Sequence, residues 1–412
     1  MSEETTSGMR PLDGVRVLDA ATFIAGPYCA CILGEFGADV IKIEQPGAGD
    51  SMRNFGTPTP RVSSEGGRGD TLVWLSEARN KRSITLDLRH PKGAELFRRL
   101  TEMSDVVCEN FRPGTMEKWG LGYEALAAVN PGLVMLRVTG YGQDGPYKDR
   151  PGFARIAHAV GGLTYLSGEP DGPPVVPGST SLADYMSGMY GAIGVMMALK
   201  SRDKTGKGQF VDLALYESIF RALDEIAPAY AMTGFVRERL GAATVNVCPH
   251  SHYQTGDGHW VAIACTNDKM FARLAKVMGR PELADPDRFG TIDTRYPARE
   301  EVDGIVGDWT GARTRDEVMR ACMEGEVPCG PINSIADIFA DPQFKARGNL
   351  VPIQVPGVGE VVVPGVLPRL SETPGRIDNL GPPLGDANDA VYRGLLGLGD
   401  DDIAALKADK VI

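Results

Sequence analysis

The feature that most constrains the fold is a repeated alternation of short β-rich runs and helical patterns in the first half of the chain. Runs rich in β-branched and other apolar residues occur at 15–21, 38–44, 83–88, 105–111 and 133–141. The segments between them have helical apolar spacing or consist of small residues. Strand, helix, strand, repeated, is typical of parallel strands joined by right-handed crossovers. The pattern therefore predicts an open α/β layer of Rossmann-like type.

The pattern in the second half of the chain predicts a smaller domain, followed by a C-terminal segment that belongs to the first domain. Residues 251–265 resemble a hairpin with a Gly-Asp-Gly turn, and helical segments follow it. Strands near 350–363 and helices near 387–409 end the chain. We therefore predict a large domain whose N-terminal part is 1–224, a small α+β domain at 225–330, and a C-terminal return to the large domain at 331–412.

Composition excludes several classes of protein. The 412 residues are 42% hydrophobic, which is enough for one large core or two moderate ones. A net charge of −11 argues against a nucleic-acid or membrane-surface partner, and no apolar run reaches the roughly 18 residues of a membrane span. The seven cysteines are odd in number and widely spread, so we expect a reducing, cytoplasmic location. His250 and His252 have no evident third ligand, so no metal site is predicted.

Two polar features stand apart from the predicted core. The segment 56–71 predicts a long polar loop and a mobile flap. Asp184 lies where a helix should begin, before a run that carries Gly188, Gly191 and Gly194 at intervals of three. Those glycines predict a buried helix that another backbone approaches closely. At such a helix start the dipole favours an ionised carboxylate, which either caps the helix or acts as a nucleophile.

Basic residues recur at the predicted strand ends, which is where ligands bind in open α/β sheets. Each is by itself a candidate for an ordinary solvated charge, but together they favour a phosphate-bearing ligand. The sequence contains no Walker A motif, no GxGxxG run that opens a helix, no GxSxG elbow and no paired CxxC. The basic residues concerned are Lys81, Arg82, Arg89, Arg112 and Lys118.

Several long motifs identify a family. The chain resembles the class III CoA-transferases, which include formyl-CoA and carnitine CoA-transferases, and the related alpha-methylacyl-CoA racemases. The resemblance covers nearly the whole chain. Its motifs include PLDGVRVLD (11–19), LGEFGADVIKIEQPGAGDSMR (33–53), ARNKRSITLDL (78–88), ENFRPGT (109–115), ADYMSGMYGAIG (183–194) and VPCGPINSIADIFADPQF (327–344).

The resemblance implies a specific enzyme. It implies an interlocked homodimer in which a Rossmann-like large domain and a small domain are joined by long linkers. It implies that Asp184 attacks an acyl-CoA thioester, and that an aspartyl anhydride and an aspartyl-CoA thioester follow. Its partners would be an acyl-CoA and a carboxylic acid, and no cofactor would be needed beyond coenzyme A as substrate.

The resemblance also implies coenzyme A contacts, position by position. They are Ile24 and Ala25 before Gly26-Pro27, Leu86 and Arg89 at the adenine end, Asn110 and Phe111, the neighbouring Arg112, and Lys118. Two positions depart from the family pattern. Ile24 stands where the family has glutamine, and Gln45 stands where some members have a basic residue.

Phe153 separates the two enzymatic interpretations. The racemases have a histidine acid/base here, because inversion of an α-carbon needs two proton-transfer groups. This chain has Phe153, and His158 five residues later is interpreted as structural. We therefore favour a CoA-transferase over a racemase, and a non-catalytic CoA-binding protein is a third possibility.

The substrate is a further hypothesis. Arg155 follows Phe153 closely and is a candidate partner for a second carboxylate near Asp184. The alternative is an ordinary surface salt bridge. If Arg155 binds substrate, the donor is succinyl-CoA or another short dicarboxylyl-CoA.

Overall fold

The structure, a computed structural model, describes residues 9–61 and 70–412. They form two compact units. The sheet unit comprises the chain up to Leu163 with 178–225 and 345–412, and the second unit comprises 164–177 and 226–344. The second unit thus includes 164–177 and 331–344, which the sequence analysis assigned to the large domain. Most of the predicted flap, residues 62–69, lies outside the described residues.

A six-stranded parallel sheet lies in the sheet unit. The strand order is β3-β2-β1-β4-β5-β6, so the winding direction changes between β1 and β4. The prediction of a parallel α/β sheet is confirmed. The strands are β1 (Arg16–Asp19), β2 (Asp39–Glu44), β3 (Lys81–Thr85), β4 (Val106–Glu109), β5 (Val134–Thr139) and β6 (Gln209–Ala214).

Both faces of this sheet are buried, which explains the continuous apolar runs of its strands. Val17 and Val40 pack in one core cluster, and their neighbours Leu18 and Ile41 pack in another. The first face is covered by α1 (Ala25–Glu35), α6 (Ala154–Val160), α8 (Leu182–Thr205) and α9 (Leu215–Phe220). The opposite face is covered by α3 (Pro91–Glu102), α4 (Thr115–Lys118), α5 (Tyr123–Val129), a π-helix at Ala390–Leu395 and α17 (Asp400–Ala408).

A further cluster surrounds the buried Trp74 at one side of the sheet unit. The indole Nε1 donates to the carbonyl of Pro382 at 3.0 Å, which connects this cluster to the C-terminal segment. Its elements are a 3₁₀ turn at Ser51–Asn54, α2 (Leu72–Glu77), and the antiparallel hairpin of β10 (Leu350–Val355) and β11 (Gly359–Pro364).

The second unit is built around an antiparallel sheet of three strands in the order β7-β8-β9. The predicted hairpin is confirmed, and the short β9 adds a strand that the sequence did not signal. The elements that lie wholly within it are α10 (Ile226–Thr233), β7 (His250–Gln254), β8 (Trp260–Ala264), α11 (Asp268–Val277), α12 (Ile292–Arg295), α13 (Arg299–Gly311), α14 (Arg315–Glu324), β9 (Cys329–Pro331), α15 (Ile335–Ala340) and a 3₁₀ turn at Pro281–Ala284. Three elements include residues of both units: α7 (Leu163–Leu166), the 3₁₀ turn at Pro177–Ser179 and α16 (Pro342–Ala346).

The cysteines behave as small apolar residues. All seven are free thiols, and every one except Cys329 is buried. Across the described parts of the chain, no helix combines the length and the apolar character that crossing a membrane requires.

The three glycines of α8 allow this helix to pack directly against its neighbours. A Cβ atom on Gly188 would lie 2.9 Å from the carbonyl oxygen of Ala25 and 2.8 Å from the ring of Tyr28. On Gly191 and Gly194 it would lie 2.8 Å and 2.9 Å from side chains of β5 and β6. The close approach predicted from the glycine spacing is therefore confirmed, and it brings the start of α8 beside the start of α1.

We predict that Gly188→Ala destabilises the protein by about 1–3 kcal/mol, because the new methyl group meets main-chain and ring atoms that cannot both yield. Gly307→Ala in α13 is the matched control, since a Cβ there meets no heavy atom within 4 Å. The control should change stability by no more than about 1 kcal/mol. Chemical denaturation of both variants measures the difference, and equal stabilities would show that α8 and α1 are not closely packed.

Candidate active site

A cavity of about 290 Å³ opens at the carboxyl edge of the sheet, where the strand order changes direction. We call it the inner cavity. Residues after β1, β4 and β5 line it, together with the first turns of α1, α8 and α9. The predicted site residues that line it are Ile24, Ala25, Asn110, Phe111, Arg112, Phe153 and Asp184.

Asn110 holds the turn that follows β1. Its side-chain Oδ1 accepts the N–H of Thr22 at 2.8 Å, and its Nδ2 donates to the carbonyl of Thr22 at 2.7 Å. Both polar atoms of the Asn110 side chain are thus bonded to the main chain of Thr22. The side chain therefore contributes to the site by fixing this turn, which forms part of the cavity wall. Thr22 and Phe23 were not predicted as site residues, although they lie directly before Ile24.

Buried charged side chains form hydrogen bonds to the same turn. The ammonium group of Lys42 is paired with Asp50 at 2.8 Å and donates to the carbonyl of Ala21. Lys81 pairs with Asp19 at 2.8 Å. Asp50 in turn accepts the N–H of Phe23 at 3.1 Å. Charges with so little solvent are stable only when paired and hydrogen-bonded, so this network fixes the turn in one conformation.

Two phenylalanines lie at the mouth of the inner cavity. Phe23 has a left-handed backbone with φ of 61°, which is rare for a residue other than glycine. Its ring contacts that of Phe153 edge to face, with the ring centroids 6.3 Å apart. Phe153 is 67% exposed, and it provides no proton-transfer group.

Asp184 is the third residue of α8 and not its cap. The N-cap is Ser181, whose carbonyl accepts the N–H of Asp184 at 2.9 Å. The Asp184 carboxylate has no hydrogen-bond partner in the described part of the chain, and burial raises its pKa to about 7. The sequence analysis expected the helix dipole to favour the ionised form. Burial acts against that expectation here, because loss of solvent disfavours the charged form of the carboxylate.

His158 supports the start of α8. Its Nε2 accepts the N–H of Ala183 at 2.9 Å, directly before Asp184, and the side chain is 1% exposed. Burial, with a smaller contribution from the charge of Arg155, lowers the pKa of His158. A neutral imidazole with its proton on Nδ1 is the form that makes this bond. The structural interpretation of His158 is therefore confirmed.

Three cationic side chains line the inner cavity with Asp184: Arg112, Lys148 and Arg150. None forms an ion pair with another described residue. The guanidinium group of Arg150 lies over the ring of Tyr147, 3.6 Å from its centroid. Lys148 and Arg150 were missed by the sequence analysis. The available signal was two cations in the polar loop just before Gly152-Phe153.

A middle cavity continues along the same edge of the sheet. It shares Thr22 and Phe111 with the inner cavity, and two predicted contacts, Leu86 and Arg89, line it. Gln45, the position where some family members have a basic residue, also lines it. Predicted contacts to the two ends of coenzyme A thus lie along one continuous edge.

Two predicted residues lie outside these cavities. Lys118 is exposed at the end of α4, next to Trp119, which lines the middle cavity. Arg155 is exposed on α6 and lines neither cavity. The helical geometry explains this, because α6 begins at Ala154 and turns the following side chain away from the cavity wall.

Comparison with known proteins identifies the chain. A sequence model of CoA-transferase family III matches residues 12–388. This chain belongs to CoA-transferase family III. It is 56% identical to the succinyl-CoA–L-malate CoA-transferase beta subunit of Chloroflexus aurantiacus, over 99% of both chains. It is 37% identical to the succinate–glutarate CoA-transferase of Agrobacterium fabrum, over 91% of this chain and 93% of that one.

The fold supports the same assignment. The crystal structure of a CAIB/BAIF family protein from Brucella suis aligns with a TM-score of 0.82 at 38% identity, covering 94% of this chain and 99% of that one. The resemblance stated from the sequence motifs is therefore confirmed. The protein is a family III CoA-transferase, and Asp184 lines its inner cavity.

We predict that Asp184→Asn makes the enzyme more stable, and that the gain depends on pH. The folded state raises the pKa of Asp184 from 3.8 to about 7, so the native protein binds this proton more tightly than the unfolded chain. Native stability is therefore lost as pH rises from about 4 to about 7. Asparagine has no such loss, so its advantage should widen between pH 5 and pH 7 and then stay constant.

Thermal unfolding of both proteins across this range measures the effect. Burial also raises the pKa of Glu109 to about 7. Because the wild-type and variant proteins share this and every other titrating group, those contributions cancel when the two stabilities are subtracted. An advantage that is already constant between pH 5 and pH 8 would mean that Asp184 ionises like an ordinary exposed carboxylate.

Proposed function

We propose that this enzyme transfers coenzyme A from succinyl-CoA, or another short dicarboxylyl-CoA, to a second dicarboxylic acid, with Asp184 as the nucleophile. The observation that carries the proposal is the position of Asp184 in a cavity with three cations that lack ion-pair partners among the described residues. The names of the two relatives support the substrate class, because both describe transfer of CoA between dicarboxylic acids.

The proposed reaction has four balanced steps. The Asp184 carboxylate attacks the acyl-CoA carbonyl, which gives a mixed anhydride and expels the CoA thiolate. The thiolate attacks the aspartyl carbonyl, which gives an aspartyl-CoA thioester and releases the donor acid. The acceptor carboxylate attacks this thioester, forming a second anhydride and the thiolate. Attack of the thiolate on the acceptor's carbonyl gives the new acyl-CoA and regenerates Asp184.

The start of α1 is suited to the charge that develops in these steps. The helix begins at Ala25, and the Ile24 side chain makes no capping hydrogen bond, so within the described residues no side chain caps the N–H groups of Ala25 and Gly26. The positive end of a helix and such N–H groups stabilise a transient oxyanion. Since Ile24 replaces the family glutamine, we propose that the main-chain N–H of Ala25, and not a side chain, performs this role.

The cations of the inner cavity suit the second carboxylate of each substrate. Lys148 and Arg150 lie in the loop that joins β5 to Phe153, and both line the cavity with Asp184. Planar guanidinium groups bind carboxylates in two-point geometry. We therefore move the proposed carboxylate contact from Arg155 to this pair. The dicarboxylyl donor remains as the sequence analysis proposed it.

The racemase alternative lacks its second proton-transfer group. Phe153 occupies the position of the racemase histidine, and the Nε2 of His158 is engaged by Ala183. The alternative of a non-catalytic CoA-binding protein would leave the half-buried Asp184 carboxylate unexplained, because loss of solvent around a carboxylate without a compensating partner lowers stability.

We propose, as the resemblance implies, that two copies of the chain form a homodimer. Exposed apolar side chains on α8, among them Ile193 at 50% and Met197 at 67%, are suited to coverage by another chain. The relative from Chloroflexus is named as a beta subunit, so a second, homologous chain is the alternative to a second copy. The molar mass of the chain purified alone distinguishes the two assemblies.

We predict that Asp184 becomes covalently acylated. Incubation with succinyl-CoA and hydroxylamine should convert it to the hydroxamate, because both the anhydride and the thioester react with this nucleophile. Peptide mass mapping should place the modification on Asp184, and Asp184→Ala should abolish transfer while the protein still folds. Modification elsewhere, or transfer by the alanine variant, would refute the mechanism.

We predict that Arg150→Gln raises the KM for succinyl-CoA about tenfold and leaves that for acetyl-CoA nearly unchanged, because a charge-assisted hydrogen bond to the distal carboxylate is lost. Arg155→Gln is the matched control and should affect neither donor. Steady-state kinetics with both donors make the comparison. An equal rise for both donors would place Arg150 on coenzyme A and not on the acyl group.

A further inference from the structure

A basic cavity lies at the outer end of the same sheet edge. Its volume is about 770 Å³, and we call it the outer cavity. It is lined by the residues that follow β2 and β3 and by the C-terminal segment of the chain. Its cationic side chains are Arg89, Lys407 and Lys410.

The outer cavity continues the path that begins at Asp184. It shares Gln45, Asp87 and Arg89 with the middle cavity, which itself shares Thr22 and Phe111 with the inner cavity. A ligand whose reactive end meets Asp184 therefore extends along the carboxyl ends of the strands and reaches these lysines last.

The C-terminal lysines are held in place by the core. Ile403 and Leu406 of α17 are buried, and so is Val411. The carbonyl of Val411 accepts the N–H of Asp87 at 2.8 Å, which ties the segment to the loop after β3. Lys410 has a left-handed backbone with φ of 56°, so the chain turns here. Lys407 and Lys410 thus extend from a fixed helix end.

The charge balance of the outer cavity is positive. Arg89 is oriented by Asp87, through Nε–Oδ1 and Nη2–Oδ2 hydrogen bonds of 2.8 Å and 3.0 Å. Lys407 and Lys410 have no acidic partner in the described part of the chain. In a protein with a net charge of −11, such a cluster needs an explanation. Lysine and arginine side chains around one cavity are suited to a phosphate monoester.

We propose that Lys407 and Lys410, together with Arg89, bind the phosphorylated ribose of coenzyme A. The inference rests on the proposed function only in that it takes coenzyme A as the ligand. The thiol end lies at Asp184 and the nucleotide end lies at the opposite end of the path. The C-terminal helix then distinguishes coenzyme A from dephospho-coenzyme A, in which the 3′-phosphate is missing.

Binding of adenosine 3′,5′-bisphosphate tests this inference without any transfer reaction. Calorimetric titration of Lys407→Gln/Lys410→Gln should show affinity lower than that of the wild type by about tenfold or more, because two charged contacts to phosphate are lost. The matched control is Lys200→Gln/Lys204→Gln, which removes the same charge from the exposed end of α8 and should bind as the wild type does.

A second arm compares donors that differ only in the 3′-phosphate. The lysine variant should have a raised KM for the acyl-CoA and an unchanged kcat, and with the dephospho-donor it should match the wild type. Equal affinity of variant and wild type for the bisphosphate would overturn the inference, as would an equal loss for both donors. Because the bisphosphate arm needs no acyl transfer, it stands even if Asp184 is not the nucleophile.

Discussion

The position of Asp184 depends on the close packing of α8 against α1. The carbonyl of Ala25 and the ring of Tyr28 occupy the space that a side chain at Gly188 would need. This contact places the first turn of α8 beside the turn that follows β1, so the carboxylate and the first residues of α1 line one cavity. Asp184 is half-buried in this cavity, and burial raises its pKa to about 7. The packing of α8 against α1 therefore sets the position of the carboxylate, and the cavity around it raises its basicity.

The turn after β1 is held rigid by buried charged side chains, and their burial is unfavourable for stability unless they are paired. Lys42 and Asp50 lie almost without solvent, and the loss of one partner from such a pair costs about 3–5 kcal/mol. Their contacts, with those of Asn110, hold Phe23 in a left-handed conformation that the residue does not prefer. Strain of this kind persists when the surrounding structure over-determines it, and it is found at functional sites. The network is thus better explained by preorganisation of the cavity than by stability.

The parallel sheet and the close contact of α8 were predictable because each leaves a periodic signal in the chain. Apolar runs and glycine spacing are local features of the sequence, so the strands and the helix contact that they predict do not depend on distant segments. The protonation of Asp184 was not predictable in this way, because it depends on how much solvent remains after distant segments pack around it. The same reason explains Arg155, since a shift of one residue in the start of α6 decides which side chain faces the cavity. Lys407 and Lys410 were also missed, because more than 300 residues separate them from Arg89 in the sequence.

In the proposed mechanism, the cations along the sheet edge bind the substrates and do not pair with Asp184. A guanidinium group bound directly to Asp184 would lower the pKa of the carboxylate and weaken it as a nucleophile. Burial is the cause of its pKa shift, and no cation pairs with it in the described part of the chain. Arg112, Lys148 and Arg150 line the same cavity without such a bond, so their charge is available to the anionic groups that enter. If Asp184 is the nucleophile that we propose, a pKa of about 7 leaves it sufficiently ionised to react at neutral pH and sufficiently basic to attack a thioester. The surrounding cations would then offset the repulsion between it and a dicarboxylate.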